Sequence, residues 1–263
     1  MIVFAGIVPA SPLLLESINP EGLPLLERTR QALHEVAEDL AATHPDTIVI
    51  LAEQATMYPD AFSINVADPY LARLEAFGDL GYRKQYHPDF ALVDKLQREL
   101  RALGEPVSLS TDQAISHLTV VPLDFLTQHL PNVRIIPIAP SNLDPKEHFN
   151  FGNALRSILQ ASSKRIAVFA AGDTAHALNE DSPLPAHEDG KRFDQTLVEL
   201  VENRNTVGLL GMPPELVENA KDGVYRQSVM LFGVLEGMAA TPVIHCYEAP
   251  LGVGHLVAEF RLD

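Results

Sequence analysis

RIAVFAAGDTAHAL, residues 165–178, decides how the rest of the chain is read. A β-branched, apolar run stops at Gly172, and Asp173 and His176 follow directly. A strand buried on both faces carries no polar side chains along its length, so groups that meet a substrate appear at its carboxyl end, in the crevice beside the next helix. Gly172 lets the backbone turn there. Histidine is the side chain that exchanges protons near neutral pH, which makes His176 a candidate general acid or base. The plainer alternative is that His176 caps the following segment or fills a polar gap under a loop.

Outward from this stretch the chain alternates strands with helices. IVFAGIV (2–8), TIVILA (47–52) and VRIIPIAP (133–140) have the same buried-strand character. The segment 21–43 places Leu25, Leu26, Ala32, Leu33, Val36, Ala37 and Leu40 at helical spacing. ALVDKLQRELRALG, ended by Gly104, and EHFNFGNALRSILQ are further helices, and the stretch before the first of these reads as a weak hinge of mixed polarity. After a polar loop at 179–190 come FDQTLVELVEN, PPELVENA and YRQSVMLFGVLEGM, all helical in spacing, and then a hairpin-like pair, TPVIHCYEAP and VGHLVAEFRL. The pattern predicts one α/β domain over residues 1–263, with a central, largely parallel or mixed sheet and helices on both faces. With 263 residues, 46% of them hydrophobic, there is enough chain for one large core, and no boundary divides it.

Composition narrows the partners. Nineteen basic against 35 acidic residues give a formal charge of −16, which disfavours nucleic acid and anionic membrane surfaces. The single cysteine, Cys246, rules out an internal disulfide framework and a cysteine-built zinc site, as expected of a cytoplasmic protein. MIVFAGIVPASPLLL has no basic region and is broken by Pro9 and Pro12, so it reads as a first core strand rather than a signal peptide.

Several segments, taken in order, resemble the class III extradiol ring-cleavage dioxygenases, catalytic (LigB-like) chain, a family related to the protocatechuate-cleaving dioxygenases and the Memo proteins. They are IVPASPLLL, DTIVILAEQATMYPDAFSI, SHLTVVPLDFL, IAPSNLDPKEHFNFGNAL, AAGDTAHAL, PAHEDGKRFDQTLVELVE and YEAPLGVGHLVAEF. The resemblance implies ferrous iron held by two histidines and a glutamate, with open positions for a catechol-type diol and dioxygen. The glutamate corresponds to Glu248. The first histidine would stand within a Pro-His-x-Pro pattern, where this chain has Ala10 between Pro9 and Ser11; the second would follow the second strand, where this chain reads Ala52-Glu53-Gln54-Ala55. Ala10 has no ligand atom, Gln54 offers only a neutral oxygen, and Glu53 should point to the opposite side from its neighbour. His176 matches the family's acid/base histidine and His117 a second pocket histidine.

Two of three iron ligands are thus replaced, a change that would abolish or alter family activity. Three readings follow: an iron dioxygenase or close relative opening a small aromatic ring; a metal-free pseudoenzyme binding a small molecule or a partner chain; and a rebuilt metal site of His117, His176 and Glu248. The resemblance also favours a homodimer or pairing with a small partner chain. A serine hydrolase is disfavoured because no Gly-x-Ser-x-Gly elbow is present. Ala10 and Gln54 are expected at the mouth of the cleft within reach of Glu248, with Asp173 beside them and His187, in the PAHEDG loop, over the pocket. His34 and His129 read as solvated or dipole-facing, His44 and His87 as turn residues before proline, and His148 as first-turn. His255 reads equally as core or pocket, and Cys246 as a buried, inert thiol sharing the face of Glu248.

Overall fold

The computed structural model of the chain describes residues 1–262. The elements, in chain order, are β1 (Ile2–Val8), α1 (Glu27–Ala42), β2 (Thr47–Leu51), β3 (Phe62–Asn65), β4 (Tyr70–Leu74), β5 (Asp79–Tyr86), α2 (Phe90–Ala102), β6 (Val107–Ser110), α3 (His117–Leu126), β7 (Arg134–Ala139), α4 (Pro145–Gln160), β8 (Ile166–Ala171), α5 (Glu188–Glu202), α6 (Thr206–Leu210), α7 (Pro214–Ala220), α8 (Tyr225–Val234), β9 (Ala240–Glu248) and β10 (His255–Leu262). Eight strands form one mixed sheet in the order β6-β3-β7-β2-β8-β1-β10-β9, and β4 pairs with β5 as a separate hairpin. The centre is parallel, β7-β2-β8-β1, and β10 runs against both β1 and β9.

The strand residues divide by parity between two cores, as the pleat requires. Val49, Leu51, Val168 and Ala170 face one side, under α2, α4, α5 and α8. Ile48, Ile50, Ala167 and Phe169 face the other, under α1, α3 and the β4-β5 hairpin. On the first side α4 and α8 approach closely: a Cβ on Gly152 would stand 2.0 Å from the Met230 carbonyl oxygen, and one on Gly233 would stand 2.1 Å from that of Phe149. Pro242 is accommodated because β9 is the edge strand.

The expected helix over 21–43 begins later: Leu23–Leu26 form a 3₁₀ turn, α1 starts at Glu27, and Leu25 is exposed. The expected hinge after residue 52 instead holds β3, β4 and β5. β3 and β6, four residues each, pair with one another in parallel at one edge of the sheet. No helix among the described residues is long and apolar enough to cross a membrane.

Candidate functional site

β1, β2, β8 and β9 all end at the same rim of the sheet, and β10 starts there. Ala10, Gln54, Asp173, Glu248 and His255 therefore collect along one edge although they are far apart in sequence. The loop after β8 is bound down on every side. Asp173 Oδ1 accepts hydrogen bonds from the backbone N–H groups of Ala10 (2.8 Å) and Ser11 (3.1 Å). Thr174 N–H donates to the Gly254 carbonyl, Ala175 N–H to Asp194 Oδ1, and His176 N–H to the Ala220 carbonyl. Asp194 also accepts from the Tyr247 hydroxyl at 2.5 Å, and burial pushes its carboxyl up from the ordinary carboxylate range. Gly172 is required by close approach, since a Cβ there would lie 2.0 Å from the Gly223 carbonyl oxygen.

His176 is held in one tautomer. Its Nδ1 lies 2.9 Å from the Lys221 carbonyl oxygen, which can only accept, so Nδ1 carries a hydrogen, and Nε2 is the nitrogen turned to the cleft side of the ring, beside Asp173. Asp173 Oδ2 lies 3.9 Å from that Nε2. Asp173 is thus gripped through one oxygen while the other stands ready to stabilise an imidazolium. His117, the first residue of α3, leans on the Phe77 ring with centroids 4.7 Å apart. Burial lowers its pKa; the charge of Asp173 acts upward and that of His176 downward, so all three share one electrostatic environment.

The side chains of the other expected site residues are engaged in separate contacts. Gln54 is buried and turned toward α3, its amide nitrogen donating to Thr119 Oγ1 (2.6 Å) and to the Ala52 carbonyl (3.3 Å). Glu53 points the opposite way, into a cavity of about 550 Å³ shared with His148, Asp222 and Arg226, which adjoins the 221–223 turn behind His176. Burial raises Asp222 there to about 6. Glu248 Oε1 accepts from the Thr29 N–H (2.9 Å) and hydroxyl (2.6 Å), so this carboxylate binds the amino end of α1, where the helix dipole favours negative charge. His187 is the N-cap of α5: its Nδ1 accepts from the Asp189 N–H and its side chain is 44% exposed. His148 is also a structural residue, fully buried, with both ring nitrogens hydrogen bonded, to Ser141 and Asp144.

His255 stands out against it. It is fully buried, and neither ring nitrogen has a partner. Burial lowers its pKa, while Asp173 and Glu248 act upward. It pairs with Glu248 across the β9-β10 ladder, and that register was the only clue to its place beside the site.

These residues do not fit the iron set the resemblance implies. Ala10 contributes only a backbone N–H, Gln54 is held to Thr119 through its amide nitrogen and offers only a neutral oxygen, and one Glu248 oxygen, Oε1, is taken by Thr29. Nor do His117, His176 and Glu248 converge as a rebuilt centre: among the described residues the one trio of His, Cys, Asp or Glu with ligand atoms all within 4.8 Å is Asp39, His245 and Glu259, away from this rim.

The chain is similar to Protein CA_C1420 of Clostridium acetobutylicum, 24% identical over 272 residues covering 97% of this chain and 56% of the relative, so it spans about half the length of that curated protein. Its fold is similar to the crystal structure of uncharacterized protein JW3007 from Escherichia coli K12, with a TM-score of 0.62 and 14% identity over 98% of this chain and 99% of the other. The family described as the catalytic LigB subunit of aromatic ring-opening dioxygenase matches residues 7–257, from the end of β1 through the β8 loop and β9 to the start of β10, and the chain belongs to that family.

Proposed function

We propose that this chain uses the strand-end cleft to bind a small aromatic diol of the catechol type and to take a proton from its hydroxyl, without the family's iron chemistry. The observation that supports this reading is the Asp173-His176 pair, with Asp173 anchored by the N–H groups of Ala10 and Ser11, and His176 fixed by Lys221 with Nε2 free. A hydroxyl placed against Nε2 gives up its proton to the imidazole, and the Asp173 carboxylate stabilises the resulting positive charge. His117, whose pKa burial lowers, is suited to stay neutral and hydrogen bond the second hydroxyl. No step passes through a metal, because positions 10 and 54 do not supply the donors such a step needs.

The test is oxygen uptake with catechol and added Fe(II). The unmodified chain should consume none and form no ring-opened product, while Ala10→His with Gln54→His should gain iron affinity. Uptake in step with ring opening by the unmodified chain would restore the plain dioxygenase reading. Partner chains and self-association belong to the same proposal only as expectations of the family.

A further inference from the structure

Between α1 and the β9-β10 edge lies a second cluster, remote from the cleft and unused by the reading above. Asp39, His245 and Glu259 bring one ligand atom each to within 4.8 Å of the others. Glu259 is 2% exposed, yet its Oε2 has no hydrogen-bond partner; the same holds for Nε2 of His245, whose side chain is 9% exposed. These two atoms face one another at 3.3 Å without forming a hydrogen bond. Two ligands of a tetrahedral zinc ion, at about 2.0–2.2 Å from the metal, stand roughly 3.3–3.6 Å apart.

The outer atoms of both groups face other charged side chains. Glu35 Oε2 lies 3.5 Å from His245 Nδ1, so a hydrogen on Nδ1 faces a carboxylate and Nε2 is left as the donor. Arg261 Nε donates to Glu259 Oε1 at 2.6 Å, which leaves Oε2 free. Glu35 and Asp39, four residues apart, share one face of α1. On the sheet, Val257 pairs with Cys246 but Ala258 pairs with Ile244, so His245 is the extra residue of a β-bulge. A bulge re-aims the side chain it carries, here toward α1.

We propose that Asp39, His245 and Glu259 bind one divalent transition-metal ion of the zinc type, tying α1 to the edge hairpin. One nitrogen and two carboxylate oxygens form a donor set that zinc accepts, and the strongly negative chain favours cation uptake. The competing arrangement is a plain ion pair with His245 protonated between Glu35 and Glu259.

Chelator-treated full chain, given one equivalent of Zn²⁺ and desalted, separates the two. One zinc should remain bound to the unmodified chain and to His176→Ala. His245→Ala and Asp39→Asn should lose it, and Glu35→Gln should weaken binding by about 10- to 100-fold. Co²⁺ in place of Zn²⁺ should give visible ligand-field bands that His245→Ala abolishes. Asp39 is exposed, so Asp39→Asn reports on binding even if a substitution at the sheet edge perturbs folding. The proposal is overturned if the unmodified chain retains no zinc, if Asp39→Asn and His245→Ala retain as much as it does, or if zinc is lost in His176→Ala instead.

Discussion

Asp173 and His255 set the energetics of the site in opposite ways. Asp173 satisfies two N–H groups at the end of β1, so Asp173→Ala leaves both without a protein partner, at about 1–3 kcal/mol each. Asp173→Asn keeps an acceptor for them and removes the charge beside His176. Chemical denaturation should therefore show a loss of at least ~2 kcal/mol for the alanine variant and a smaller one for asparagine, with diol affinity lowered in both. Equal destabilisation by the two would mean that the N–H contacts carry little. His255 buries two nitrogens that bond to nothing, so His255→Leu should be neutral or stabilising at pH 7. Because burial lowers the folded pKa of His255, and of His117 and His148 likewise, the unfolded chain binds more protons in acid. Stability should accordingly fall as pH drops through the ordinary histidine value of 6.5, and His255→Leu should flatten that fall. Melting temperatures between pH 7.5 and 5 check this; a slope unchanged in the variant would contradict it. The Asp173-x-x-His176 spacing was legible because it depends on one strand end. The Glu248–Thr29 contact was not, since it joins residues 219 apart in sequence.

The α4-α8 crossing shows how an element depends on its neighbour's backbone. Gly233→Ala would drive a methyl into the Phe149 carbonyl, and overpacking of this kind costs about 1–3 kcal/mol or more. The expected result is a lower denaturation midpoint with helical content retained; an unchanged midpoint would show that the helices slide apart freely. Strands buried on both faces, β2, β7 and β8, could be read from their apolar runs, and the helices from their spacing. β5 could not, because DLGYRKQY is mostly exposed and alternates nothing with period two. β3 and β6 are too short for periodicity to show, and only their pairing with each other and with β7 makes them strands. α6 is five residues long and begins with an Asn205 cap rather than an amphipathic stripe.

Across the molecule, strand order converts distant segments into one rim. β2, β8, β1, β10 and β9 are consecutive neighbours, so the ends of sequence segments at residues 10, 54, 173 and 248 align along a single edge. The sequence identified these segments and their family pattern; it did not reveal that the backbone N–H groups of Ala10 and Ser11 anchor Asp173. That anchored Asp173-His176 pair is the core of the proposed function, and it is tested most directly by the ultraviolet difference spectrum of catechol titrated into the chain with a chelator present. The unmodified chain should bind catechol and shift its spectrum to that of the deprotonated monoanion, and His176→Ala should lose that shift. If catechol binds only after Fe(II) is restored, or if His176→Ala gives the same monoanion spectrum, the metal-independent proton transfer assigned to Asp173 and His176 is contradicted.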